Sequence, residues 1–430
     1  MSKQPNAKKK RTDNRIGRRI AIGAFSAIVI VVTVIVILAM HFGVGGLDSA
    51  TGKVVPDEEK ICAFEEASAQ IETEEPEETS DPYLEAAEQT LSAMTLEEKV
   101  YQLFITSPDE LTGKIGTSDA DDRLLEPLQE MPIGGLIFYE ANVYSADQLQ
   151  GMMHDLKENV KIPMFFGIDA EPGNDEGLNK FGVTDAYEDA SVYGENSDAQ
   201  SVRAMAKKLG TDMRMVGFNL NFAPVADVLV EPANREIGNR SFGADPITVS
   251  SLVGEMIDGL HESGVITCTK HFPGLASTAN NTNYSTAISE RTMEDLRQAE
   301  LPPFDKAIEV GTDMIMVSHL QLPSVVEGDL PVSLSPVFIQ EILRGELGYQ
   351  GVIITDSLQK KAITSNYSSA EAAVMALQAG CDMILMPDDL SNAAEGVLSA
   401  INNGELSEDR INESVLRILV LKGRYGLLPQ

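Results

Sequence analysis

Asp169 and Glu171, Asp227, Lys270 and His271, His319, and Asp356 share one feature: each closes or shortly follows a short apolar run of the chain. A side chain able to carry charge is costly to bury at the end of an apolar strand unless it meets a counter-charge, a hydrogen-bond partner or a ligand. Their clustering at run ends therefore points to a polar cavity at one end of the fold, where some of them satisfy one another and the rest hold a ligand. The carboxylates, ionised at neutral pH, can fix a polar ligand or stabilise developing positive charge. No phosphate-cradling glycine loop and no metal-spaced set of His and Cys accompanies them, so neither a metal nor an organic cofactor is expected.

The elements that must position these groups follow from the pattern. Eight apolar runs of strand length, 102–105, 135–139, 163–169, 219–225, 265–272, 314–320, 352–358 and 381–387, alternate with segments of helical spacing. The clearest helical segments are 199–215, 246–263, 292–310, 336–345 and 369–379, several of them followed by glycine. Eight β/α units in this length predict a TIM (β/α)8 barrel over residues 83–430, an α/β fold. In such a barrel the loops after the strands build the site, and the polar run ends fall there.

The chain of 430 residues carries a net charge of -33, unevenly spread: residues 1–19 are +7 and the remainder -40. Residues 20–42 hold no Asp, Glu, Lys or Arg, which predicts a single transmembrane helix, long enough to cross a bilayer core of roughly 30 Å. The basic flank keeps residues 1–19 cytoplasmic and places the C-terminal part outside the cell membrane. Residues 43–82, Glu-rich and poor in large apolar side chains, read as an acidic, disordered linker. An acidic outer domain excludes nucleic acid as the expected partner. Cys62, Cys268 and Cys381 form no CxxC pair; the last two read as small core residues, the first as an exposed thiol.

The segments GGLIFY, GIDAEPG, NFAPVADV, IGNRSFGADP, KHFPG, MVSHLQLP, GVIITDSL and AGCDMILMP occur in the order found in glycoside hydrolase family 3. The chain resembles most closely the single-domain β-N-acetylhexosaminidase branch, over nearly all of its C-terminal part. This resemblance implies that Asp356 in ITDSL is the nucleophile of a retaining mechanism. It also implies that Asp169, Arg240, Lys270, His271 and Asp227 line the sugar subsite, with charged hydrogen bonds to the hydroxyls. His319 matches a family position where a core hydrogen bond and a ligand contact are equally expected. The implied partner is a carbohydrate, a β-linked amino sugar or glucoside such as the N-acetylglucosamine of cell walls.

Three stretches depart from the family pattern. The branch's acid/base, a histidine held by an aspartate shortly after KHFPG, falls on Asn283 and Asn281, and an amide cannot exchange a proton near neutral pH. The family's EGGR reads Glu171-Pro172-Gly173-Asn174, and the methionine region after the nucleophile reads Gln359-Lys360-Lys361. Related β-glucosidases bring an acid from a second domain, which the sequence after Pro387 is too short to supply. Candidate replacement acids are Asp175, Glu176 and Glu290. The expected function is a surface-tethered glycosidase of this family; the alternative is a sugar- or peptidoglycan-binding pseudoenzyme that keeps the pocket and not the chemistry.

Overall fold

In the computed structural model the described residues are 46–47, 54–55 and 83–428. Eight parallel strands lie in chain order around a barrel: β1 (Phe104–Thr106), β2 (Gly135–Phe138), β3 (Phe165–Ile168), β4 (Leu220–Asn221), β5 (Ile266–Phe272), β6 (Met314–Val317), β7 (Val352–Thr355) and β8 (Ile384–Leu385). β8 pairs with β1, and Ile354 of β7 bridges Met383 beside β8, which closes the ring. Every residue of β2, β3, β6 and β7 is buried. A parallel strand packed against the barrel interior on one side and helices on the other leaves no face for water. Each such Val, Ile, Leu or Phe contributes about 1.5–3 kcal/mol. Helices pack from outside through contacts such as Phe272 of β5 edge-on to Phe304 at 5.3 Å.

The eight predicted runs all hold a strand, with ends moved for identifiable reasons. The first run starts too early, because Gln102 ends the helix Leu96–Tyr101 and its amide donates to Pro132 O at 2.6 Å. The fourth is paired only at Leu220–Asn221, since Pro224 has no N–H for the ladder; pairing resumes at Val225 opposite Lys270. In the eighth, the Asp382 carboxylate accepts from Ile353 N at 3.0 Å beside the short strand. The helical segment 292–310 is two helices, Met293–Gln298 and Pro302–Glu309, because Pro302 and Pro303 start a helix and cannot continue one. The segment 336–345 is wound as a π-helix, Val337–Glu346, a form that the spacing does not reveal. Ser369–Ala379 stands as expected, opened by a capping box between Ser368 and Glu371 and closed by Gly380 at φ 115°.

The apolar segment 20–42, the basic residues 1–19 and Cys62 lie outside the described residues. No helix among the described residues is long and apolar enough to cross a membrane. Inside the segment read as an unstructured linker, Gly46–Leu47 pairs antiparallel with Val54–Val55, so that stretch is not wholly irregular. Residues 83–428 belong to one compact unit.

Candidate active site

Each polar run end arrives at the C-terminal mouth of the barrel. Asp169 and Glu171 follow β3, Lys270 and His271 lie in the last turn of β5, His319 follows β6 and Asp356 follows β7. Two charged networks result.

The first joins β3, β5 and the loop after β4. Arg240 grips Glu171 with two parallel bonds, Nε to Oε2 at 2.7 Å and a terminal nitrogen to Oε1 at 2.8 Å. The Lys270 ammonium bonds Glu171 Oε1 at 2.6 Å and also Asp169. Burial opposes charge on Glu171, yet Arg240 and Lys270 override it and hold the carboxyl far below the usual carboxylate range. Burial likewise opposes the Lys270 charge, and Asp169 and Glu171 raise its pKa regardless. Asn221 at the end of β4 clamps the β3 loop by bonding both N (3.0 Å) and O (2.9 Å) of Ala170. Asp169 and Arg240 are the members that reach solvent, each with about a quarter of its side chain exposed, so they present the network to a ligand.

Asp227 stands behind this layer. Fully buried, it accepts from His271 Nδ1 at 2.7 Å, from His271 N at 3.2 Å and from Leu275 N. Expected to line the subsite, it is placed as the support of His271: the bond to Nδ1 fixes the proton there and leaves Nε2 as the free ring nitrogen. The turn behind is tight, since Gly274 sits at φ 137° and a Cβ there would meet Glu300 Cγ at 2.7 Å. The Lys270–His271 peptide bond is cis.

The second network surrounds Asp356. Its N–H donates to Val317 O at 2.8 Å, which ties it to β6. One carboxylate oxygen accepts from Ser357 N at 2.7 Å, and the other from Lys360 Nζ at 2.6 Å. Lys360 also bonds Glu236 Oε1 at 2.9 Å. Burial opposes charge on Asp356; the Lys360 ammonium overrides it and holds the carboxyl well below the usual range, so it is ionised at neutral pH. His319 is fully buried and neutral, its pKa lowered by burial: Nε2 donates to Ser357 O at 2.9 Å, and Nδ1 faces Ser333 Oγ at 2.7 Å. Of its two expected roles it takes the core hydrogen bond, and it positions the turn that carries Asp356.

Asn281 and Asn283 lie beside this second network and contribute little to it. Asn281 Oδ1 caps its own turn by accepting from Asn283 N at 2.9 Å. The exposed Asn283 side chain reaches Glu236 Oε1 only at 3.3 Å. Thr282 between them is buried, and its N–H (2.8 Å) and hydroxyl both donate to Glu236.

Of the candidate acids, Asp175 is occupied by Asn179 N at 2.9 Å and Thr184 Oγ1 at 2.7 Å. Glu290 is exposed, and its nearest side-chain contact is Ser324 at 3.5 Å. Glu176 sits at φ 50°, accepts from Glu140 N at 3.1 Å, and has its pKa raised by burial and then by the charge of Asp169. Asn174, at the missing arginine, is exposed and makes a backbone pair with Glu171. Cys268 and Cys381 are buried core thiols. Glu236, Lys360 as its partner, and Asn221 escaped the sequence reading; the spacing of Glu236 four residues before Arg240, and of Lys360 four after Asp356, was the only signal. Among the described residues no cluster of His, Cys, Asp and Glu is arranged to hold a metal. Concavities of about 470 and 410 Å³ open near Asp313 and Gly351 and near Lys157 and Tyr425, away from both networks.

Residues 95–421 match the sequence model of the glycosyl hydrolase family 3 N terminal domain. A beta-hexosaminidase of Stenotrophomonas maltophilia is 30% identical over 340 residues, 73% of this chain and 99% of the relative. One from Hydrogenovibrio crunogenus is also 30% identical, over 67% of this chain and 81% of its own. Among solved structures, a family 3 beta-N-acetylglucosaminidase from Paenibacillus superposes with a TM-score of 0.73 at 33% identity, covering 78% of this chain and 63% of that one. A beta-N-acetylhexosaminidase from Beutenbergia cavernae does so at 0.68 and 29%, covering 77% and 99%. With the barrel, the order of the strand-end groups and these relatives in agreement, the chain belongs to glycoside hydrolase family 3 and carries that family's glycosidase domain.

Proposed function

We propose that this protein is a retaining glycosidase that removes β-linked N-acetylglucosamine or a related amino sugar, with Asp356 as the nucleophile. The observation that carries the reading is the ionised, buried Asp356 at the same barrel mouth as the Asp169–Lys270–Glu171–Arg240 network. A carboxylate kept charged there attacks the anomeric carbon and stabilises the oxocarbenium-like transition state. Asp169 and Arg240, held rigid by Lys270 and Glu171, fix the sugar's hydroxyls, and His271 offers Nε2 to the same end. The amino-sugar preference is supported by the names of the relatives. Residues 20–42 anchor the barrel at the outer face of the cell membrane, within reach of wall polymers.

A second reading, a binding module without turnover, is favoured by one feature: Lys360 neutralises Asp356, and Asn281 and Asn283 replace the usual proton-transferring pair. Hydrolysis of nitrophenyl β-N-acetylglucosaminide and nitrophenyl β-glucoside by the purified full-length chain decides between them. These leaving groups need little protonation. Turnover that falls on the order of 10⁴-fold or more in Asp356→Asn is the expected result. No turnover on either substrate, with N-acetylglucosamine binding still measurable by calorimetry, establishes the binding module instead.

A further inference from the structure

The two carboxylates bonded to Lys360 have a spacing with chemical meaning. Asp356 Oδ2 and Glu236 Oε1 accept from the same Nζ at 2.6 and 2.9 Å, so they are no farther apart than those two bonds laid end to end, 5.5 Å. Retaining hydrolysis, where one carboxyl group attacks and the other moves the proton, needs the pair this near, whereas inverting enzymes need about 6.5–9.5 Å; sharing one ammonium keeps the two within the first range and out of the second. Glu236 also stands where the sequence leaves a gap. The loop that carries Asn281 and Asn283 closes over it, with Thr282 donating twice to its carboxylate, and Ala362 just beyond Lys360 donates to Thr282 O at 3.1 Å. Its side chain is only 4% exposed, whereas the exposed Asn283 points no proton-exchanging group at the site.

Resting on the glycosidase reading above, we propose that Glu236 is the acid/base of this enzyme, and that Lys360 exchanges partners between it and Asp356 during turnover. The cycle starts with Glu236 protonated and Asp356 ionised and paired to Lys360; in the first half-reaction Asp356 forms a bond to the anomeric carbon. The bond from that carbon to the aglycone oxygen breaks, its electron pair goes to the oxygen, and Glu236 supplies the proton. Esterification removes the charge on Asp356, and the Lys360 ammonium is left to the newly formed Glu236 carboxylate. In the second half-reaction Glu236 takes a proton from water, whose oxygen displaces Asp356 from the anomeric carbon. The sum is glycoside plus water giving sugar plus alcohol, with Glu236 reprotonated and Asp356 again paired to Lys360. Besides these two groups, the Thr282 hydroxyl and the Asn283 amide face Glu236, and neither titrates near neutral pH.

The test uses the full-length chain with Glu236→Ala and Glu236→Gln, the second keeping the shape that packs against Thr282. Both are checked for wild-type circular dichroism and melting temperature. Substrates are aryl β-N-acetylglucosaminides with leaving groups of graded acidity, with and without sodium azide. The expected result is a loss of roughly 10²–10⁴-fold on poor leaving groups and a much smaller loss in the bond-cleaving step on dinitrophenyl glycosides. Azide accelerates Glu236→Ala while forming β-glycosyl azide. Equal losses across the series with no azide product overturn the proposal and leave the glycosidase reading standing. A wild-type chain silent on every substrate overturns both.

Discussion

The two charged networks at the barrel mouth are built from the same residue types and behave differently. On the β3–β5 side, Asp169, Glu171, Lys270 and Arg240 balance two acids against two bases, and the key carboxylate has both oxygens satisfied by cations. On the β7 side, two carboxyl groups share one ammonium, which can answer the charge of only one of them. A balanced buried network is rigid and suits recognition, because removing any partner leaves a charge uncompensated. An unbalanced one holds a charge ready to be redistributed when a bond forms at Asp356. By the family resemblance the division is partial: KHFPG and NRSFG stand intact on the β3–β5 side, where only Glu171-Pro172-Gly173-Asn174 departs, and the other departures, 279–283 and Gln359-Lys360-Lys361, lie by the β7 side.

The largest effect on stability should come from the balanced side. Lys270→Met strands Asp169 and Glu171 beside one another with only Arg240 to answer them, and breaking a buried pair this way costs about 3–5 kcal/mol. Chemical denaturation measures it, and a loss under about 1 kcal/mol would refute the rigidity argued for this network. The pH dependence has a definite sign. Because the folded pKa of Glu171 is depressed, its contribution is fully present above the unfolded value of about 4.3 and is lost as pH falls below it. Acid unfolding of the wild type should therefore begin below that pH, and Arg240→Ala should move the onset upward.

Lys360→Met sharpens the contrast from the other side, through activity rather than stability. The ammonium that most depresses Asp356 is gone, burial opposes its charge with less to answer it, and the folded pKa of Asp356 rises. The acidic limb of kcat/KM, which reports the fraction of ionised Asp356 in the free enzyme, should move to higher pH. A limb that stays in place would mean that Lys360 does not set the charge on the nucleophile.

The barrel was legible because burial on both strand faces writes continuous apolar runs, and because strand ends that face a polar cavity must be polar. What the runs could not show was where backbone pairing stops, which depends on proline at position 224 and on side chains such as Asp382 that take over a ladder donor. At the barrel mouth, the residues that the sequence singles out lie inside long motifs, and Glu236 does not. Asp227, expected to line the subsite, is turned to His271, because a sequence cannot say whether a carboxylate faces a ligand or the imidazole in front of it. Glu236 was missed because its role comes from a loop 46 residues away folding over it and from a lysine 124 residues away reaching it, contacts with no local pattern.

The smallest expected effect is the one most directly set against the family pattern. By the family resemblance Asn283 falls where the branch has its catalytic histidine, yet its amide is exposed and meets Glu236 only at 3.3 Å, a long bond in reach of competing water. A hydrogen bond this long and open to water contributes about 0.5–1 kcal/mol, equivalent to a change in rate of about fivefold. Asn283→Ala should thus leave kcat/KM on nitrophenyl β-N-acetylglucosaminide within about fivefold of wild type, with the pH profile unmoved. A fall of roughly 10²-fold or more, the scale of losing a proton-transfer group, would return that role to the 279–283 loop and remove it from Glu236. If the small effect is found together with a large one at Glu236, proton transfer lies with the carboxyl group that the loop covers and not with the loop itself.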